Sequence, residues 1–153
     1  MIELNEKTQQ DFLNRECVQK LLDAGVDMSD AKYYIVNLHN SDVIFYKYSK
    51  FTTNEPVADI IPTYTVSELL YKLHEWIYPT IEGEEFSGGL KVSKDAPFYF
   101  AYYDLKNKRD KELTEEFYAV AEYPIESLAM LLIQCHKKDV GIESKDTGDI
   151  SNK

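Results

Sequence analysis

Two cysteines, Cys17 and Cys135, are too few for a disulfide scaffold. Three histidines, His39, His74 and His136, lie far apart in sequence, and the cysteines and histidines are scattered, with only Cys135 and His136 adjacent. A structural zinc site needs about four ligands at suitable spacing, so no metal is expected. No stretch approaches the roughly 18 consecutive apolar residues of a membrane helix. The six glycines and five prolines are scattered. They form no linker, repeat or low-complexity tract. Basic residues are also scarce, 17 Lys and Arg against 27 Asp and Glu, for a net charge of −10. Phosphate backbones and anionic membrane surfaces select clustered Lys and Arg, so nucleic acid and membrane are disfavoured as partners. The acidity is spread evenly, with −5 in residues 1–80 and −5 in residues 81–153. It forms no acidic tail and is read as a solubility feature.

What the chain does contain is the material of one folded domain. Its 153 residues, 44% hydrophobic and 29% charged, can bury roughly 70% of the unfolded surface without staples. The 12 tyrosines suit half-buried strands, where the ring packs and the hydroxyl stays wet. The N-terminal run Met1-Ile2-Glu3-Leu4-Asn5-Glu6-Lys7 lacks the positive region and apolar core of a secretion signal. With two thiols on apolar helix faces, this gives the expectation of a reduced, cytoplasmic protein.

Periodicity places a first helix over about Glu6 to Ala24, with Leu13, Cys17, Leu21 and Ala24 on one stripe and Gly25 as its C-terminal cap. Two Tyr/Ile/Val/Phe-rich runs, Lys32–His39 and Val43–Tyr48, flank the turn residues Asn40-Ser41-Asp42 and predict a hairpin. Residues Phe51–Thr63 contain Pro56 and Pro62 and read as a connection. Thr65-Val66-Ser67-Glu68 fits a capping box, with Tyr64 and Leu69 as a hydrophobic staple. Val66, Leu69, Leu70, Leu73 and Ile77 continue that helix until Pro79 stops it. Strands are predicted at about Gly89–Lys94, Phe98–Leu105 and Phe117–Glu122. A last helix starts at Pro124, carries the stripe Ile125, Leu128, Ala129, Leu132 and His136, and ends before Gly141. The expected fold is α+β, an antiparallel sheet of about five strands with three helices in the order α-β-β-α-β-β-β-α. The domain spans residues 1–142, followed by a disordered polar tail at 143–153.

The runs Ile61-Pro62-Thr63-Tyr64-Thr65-Val66-Ser67-Glu68-Leu69-Leu70 and Tyr123-Pro124-Ile125-Glu126-Ser127-Leu128-Ala129-Met130-Leu131-Leu132 resemble two blocks of a family of small proteins from gut Bacteroides-type bacteria, often found among phage and prophage genes. The likeness covers about residues 13 to 142. It implies a setting, a bacterial cytoplasm during phage or mobile-element activity, and carries no catalytic or binding residue with it.

Each candidate site has an ordinary alternative. His39 reads as an exposed turn residue, His74 as a histidine at a helix flank. His136 is favoured near a helix C-terminus by the dipole alone. Cys135 and His136 are adjacent, but helix neighbours point about 100° apart and form no dyad by themselves. Glu82, Glu84 and Glu85 lack the alternating oxygen pattern of a calcium loop. Gly88-Gly89 lacks the Lys and helix start of a phosphate loop and reads as a turn. Lys106, Lys108, Arg109 and Lys111 are interrupted by Asp110 and Glu112, as at a hairpin tip. Trp76 and Tyr78 end the second helix at the edge of its apolar face. As aromatics there they are the candidate interaction surface.

No cofactor is expected. The favoured function is a non-enzymatic protein-interaction or accessory module of phage or prophage origin, with a protein partner or a homodimer. One alternative is an acidic DNA mimic, or anti-defence decoy, which requires carboxylates spaced along one face like phosphates, at about 3.4 Å of axial rise per strand step. The predicted helices show no such row. Another is a small enzyme whose site is dispersed along the chain.

Overall fold

Asn14 decides where the first helix begins. Its side chain accepts the Cys17 N–H at 2.9 Å, the bond that satisfies one of the free amides of a helix start. In the computed structural model, which describes residues 2–5, 8, 10–46 and 57–140, α1 therefore runs over Arg15–Asp23. It is shorter than the predicted Glu6 to Ala24. The residues before it are committed elsewhere: the Leu13 N–H donates to the Tyr64 carbonyl at 3.2 Å, and the Leu13 carbonyl accepts the buried Thr63 hydroxyl at 2.7 Å. At the other end Gly25, with φ +88°, takes the left-handed position as predicted. Gly25 N–H donates to Leu22 O and Val26 N–H to Leu21 O, the paired bonds of a Schellman cap.

A short β1 (Ile2–Glu3), β2 (Tyr33–Leu38), β3 (Ser41–Tyr46) and β4 (Val57–Thr63) form one antiparallel sheet in the order β1-β3-β2-β4. The predicted hairpin is present, but its turn is His39-Asn40 and not Asn40-Ser41-Asp42. Both turn residues have positive φ, 53° and 61°, the type I′ geometry that matches strand twist. Ile35, Ile44 and Ile61 stand in register and direct one face toward the core. β4 replaces the last part of the predicted connection. Pro62 signalled a break, but β4 is an edge strand, where a residue without an N–H is tolerated. Pro56 lies outside the described residues, as do Gly141 and the tail at 143–153.

Thr65 caps α2 (Val66–Lys72) in the predicted capping box: its hydroxyl accepts the Glu68 N–H at 3.3 Å and Glu68 accepts the Thr65 N–H at 3.0 Å. The helix stops at Lys72, short of Pro79. Leu73 turns to extended backbone, and Trp76–Ile77 becomes β5. A hairpin of β6 (Thr80–Ile81) and β7 (Glu84–Glu85) follows. Then come β8 (Ser87–Asp95), β9 (Phe98–Lys106), β10 (Glu112–Leu113) and β11 (Tyr118–Ala121). β9 is central, with β8 on one side and β10 and β11 in succession on the other. β5 lines the far edge of β8. The class is α+β with three helices in roughly the expected order, its strands divided among three antiparallel sheets.

Gly88-Gly89 lies inside β8, correcting the predicted turn. A Cβ on Gly88 would sit 2.0 Å from the Asp104 carbonyl oxygen, so only glycine lets β8 and β9 approach there.

The final helix, α3 (Pro124–Lys138), begins at Pro124 as predicted. Its left-handed end residue is Asp139, φ 57°, whose N–H donates to His136 O, while Val140 N–H donates to Cys135 O. α3 packs on β9 and β11 and touches α1 and α2. Its buried apolar residues join Leu13, Val18, Leu21, Ile35, Ile44, Tyr64, Tyr103 and Phe117 in one hydrophobic cluster. Tyr64 links α2 to the segment after α1. Its hydroxyl donates to Asp30 at 2.6 Å, and Lys72 pairs with the other Asp30 oxygen at 2.7 Å.

Burial works against ionisation of Asp30. The Lys72 ammonium and the Tyr64 hydroxyl outweigh it and hold the carboxyl below the usual aspartate range. A depressed folded-state pKa contributes stability above the unfolded value, and that contribution is lost as pH falls from about 4. Asp30→Asn is therefore expected to flatten the fall of the urea midpoint with decreasing pH on the acid side; an unchanged pH profile would contradict this account. Gly88→Ala is expected to exceed the roughly 1–3 kcal/mol of ordinary overpacking, because the obstructing atom is backbone. Urea denaturation within about 0.5 kcal/mol of wild type, a shift typical of surface substitutions, would refute the close-approach reading.

Candidate functional site

Strand register lays out the surface of the β5-β8-β9-β10/β11 sheet opposite α3. Residues directly paired across antiparallel strands share a face. Trp76 pairs with Gly89 and Gly89 with Asp104, forming one row. Lys91, Tyr102 and Tyr118 form the next, and Ser93, Phe100 and Val120 the one beyond. Asp95 pairs with Phe98 at the end. The opposite face carries Ala101, Tyr103, Leu105 and Ala119, all buried in the core. This outer face is therefore aromatic: the Tyr118 ring lies 5.8 Å from Phe100 and 6.0 Å from Tyr102, within the range of favourable ring pairs.

Trp76 and Tyr78, the residues singled out in the sequence, sit at the edge of this face. They do not end a helix as predicted. Trp76, Ile77 and Tyr78 alternate as a strand does: Trp76 is 52% exposed, Ile77 2% and Tyr78 77%. The β-branched and aromatic run overrides the helical spacing. Backbone pairing fixes it, since the Glu75 carbonyl accepts the Leu90 N–H at 2.9 Å and the His74 carbonyl accepts the buried Tyr103 hydroxyl. A Cβ on Gly89 would come 3.0 Å from Cε3 and 3.1 Å from Cζ3 of Trp76, so one edge of the indole rests against the glycine. Covering a strand glycine with an aromatic ring is a stabilising device in its own right. It accounts for where Trp76 lies, but not for the exposure of Tyr78.

The remaining predicted residues do not converge. His39 is exposed in the β2–β3 turn, and His74 is exposed between α2 and β5. The half-buried His136 ring lies against Gly25, its Nε2 3.4 Å from where a Cβ would stand. Cys135 is fully buried. Burial pushes its thiol up to about 12, which leaves it protonated and non-nucleophilic at neutral pH. Glu82, Glu84 and Glu85 belong to the exposed β6–β7 hairpin, with Glu84 accepting the Asn107 amide at 2.6 Å. Among the described residues no group of three or more His, Cys, Asp or Glu is placed to hold a metal. Lys106, Lys108, Arg109 and Lys111 surround the β9–β10 turn. There Asn107 Oδ1 accepts the Arg109 and Lys111 N–H groups, each at 2.9 Å, and Lys106 pairs with Glu112 at 3.5 Å. Phe100, Tyr102 and Tyr118 share this face with Trp76, which the sequence pattern does not reveal. The alternation in Phe98–Leu105 was visible, but not which phase faced α3.

No described helix is long and apolar enough to cross a membrane. Comparison with family models, curated proteins and solved structures gives no match.

Gly89→Ala is expected to lift the indole. Trp76 is the single tryptophan, so its emission should move to the red and acrylamide quenching should increase. The stability cost should be small, below about 1.5 kcal/mol, because the displaced group is a side chain. Unchanged emission would show that the indole does not rest on the glycine.

Proposed function

We propose that the chain is a non-enzymatic protein-interaction module of phage or prophage origin. It docks a protein partner across the aromatic sheet face, anchored by Trp76 and Tyr78. The observation that carries this reading is a half-exposed tryptophan resting against Gly89, on a sheet face continued by Tyr102, Tyr118 and Phe100. Aromatic anchors held in place before binding lose little side-chain entropy on contact and dominate interface energies. Lys91, Asp95 and Asp104 supply a mixed polar surround of the kind that orients a protein surface. A second copy of the chain is one candidate occupant. The resemblance to phage-associated proteins supports the setting.

The test compares the intact chain with a Trp76→Ala/Tyr78→Ala variant in quantitative affinity capture from a Bacteroides-type host extract, alongside sedimentation of each alone. One protein held in stoichiometric amount by the wild type, or a wild-type dimer, should be lost in the double variant, at more than about 2 kcal/mol per anchor. Identical capture and identical mass for the two forms would eliminate this face as the interface.

A further inference from the structure

Away from the aromatic anchors, α1, α3 and the end of β11 border a half-open cavity of about 470 Å³, within the roughly 300–1,000 Å³ of small-molecule sites. Its walls are of two kinds. Ala129, Met130, Ile133 and Phe98 line it with hydrocarbon and an aromatic ring, and Glu122 and Glu126 line it with carboxylates. Glu16 and Lys20 also border it and pair with each other at 3.6 Å through exposed side chains, so the one lysine in the lining faces three carboxylates, Glu16, Glu122 and Glu126. Neither Glu122 nor Glu126 has an ion-pair partner among the described residues. Glu126 accepts the Cys17 thiol at 3.6 Å. Burial first, then the Glu126 charge, pushes that thiol up to about 12. It therefore remains a neutral donor and brings no countercharge. The N-terminal turn of α3 favours a carboxylate at Glu126 without supplying a cation. The cavity thus combines an apolar wall with uncompensated negative charge.

We propose that this cavity binds an organic ammonium ion, a primary amine on a hydrocarbon or aromatic stem. The ammonium sits between Glu122 and Glu126, and the stem lies on Ala129, Met130, Ile133 and Phe98. Charge-assisted hydrogen bonds to carboxylates are about twice as strong as neutral ones, and the stem gains by leaving water. An anion of the same shape meets repulsion, and a neutral analogue forgoes the charge interaction. The idea is independent of the docking face and survives or fails without it.

The test titrates the full chain, isotope-labelled for amide NMR, with 2-phenylethylamine, 2-phenylethanol and phenylacetate. The amine should give saturable shifts at Cys17, Met130 and Ile133 with a millimolar Kd, while phenylacetate leaves these amides unmoved and 2-phenylethanol binds roughly tenfold more weakly. Glu126→Gln and the exposed Glu122→Gln should each weaken the amine several-fold, with Glu115→Gln, outside the cavity, unchanged. The proposal is overturned if the amine does not saturate at these residues, if the three probes act alike, or if folded Glu126→Gln and Glu122→Gln both bind as wild type. Discrimination among the probes is read on the unsubstituted protein, so it stands even if a variant is poorly folded.

Discussion

The burial of α3 is the constraint on which the rest of the molecule depends. Ile125, Ser127, Leu128, Ala129, Leu131, Leu132 and Cys135 are all buried. At about 100° per residue they span more than half of the helix circumference, far beyond the stripe of a surface helix. A helix so apolar needs neighbours on several sides. β9 and β11 supply one, α1 and α2 the others. Each fully buried Leu or Ile contributes roughly 1.5–3 kcal/mol relative to exposure, so this helix anchors a large share of the hydrophobic stabilisation. The one buried hydroxyl among them is satisfied, as Ser127 donates to the Pro124 carbonyl at 2.9 Å.

That constraint orients both functional proposals. Because α3 occupies one face of the β8–β9–β11 sheet, the opposite face is where Tyr102, Tyr118 and Phe100 stand. Because its first turns lie beside α1, Glu126 meets Cys17. Phe98 belongs to the end row of the sheet face and also to the wall of the cavity. The two surfaces are therefore neighbours, although they select different chemistry: aromatic contact on one side, a cation with an apolar stem on the other.

The parts of the fold legible in the sequence were those with local chemical causes. The Thr65 capping box, the Gly25 cap and Pro124 at the first position of α3 all state their conformations within a few residues. The parts that were not legible depend on distant partners. The spacing of Leu73 and Ile77 fits a helix, yet Ile77 is buried from a strand, because β5 finds the edge of β8. Gly88-Gly89 reads as a turn until Asp104 and Trp76 are seen to press on it. Pro62 reads as a break until β4 proves to be the outermost strand. Of the candidate sites, Trp76 and Tyr78 stand out in the sequence by their aromatic character. Their alignment with Tyr102 and Phe100 is a matter of register, which sequence separation hides. Glu126 was visible only as part of a helix start, since its meeting with Cys17 joins residues 109 positions apart.

The position of Pro62 has a consequence for the chain's behaviour in a crowded solution. An outermost strand ordinarily offers a full ladder of amide donors and carbonyl acceptors to any extended segment that drifts past, which is how sheets recruit strangers into aggregates. Pro62 pairs with Tyr34 on the inner side and, lacking an N–H, leaves a gap in the outward ladder. A foreign strand laid along β4 loses a rung there and meets the pyrrolidine ring in its place. The residue that obscured the strand in the sequence thus protects the sheet from uncontrolled growth at that edge.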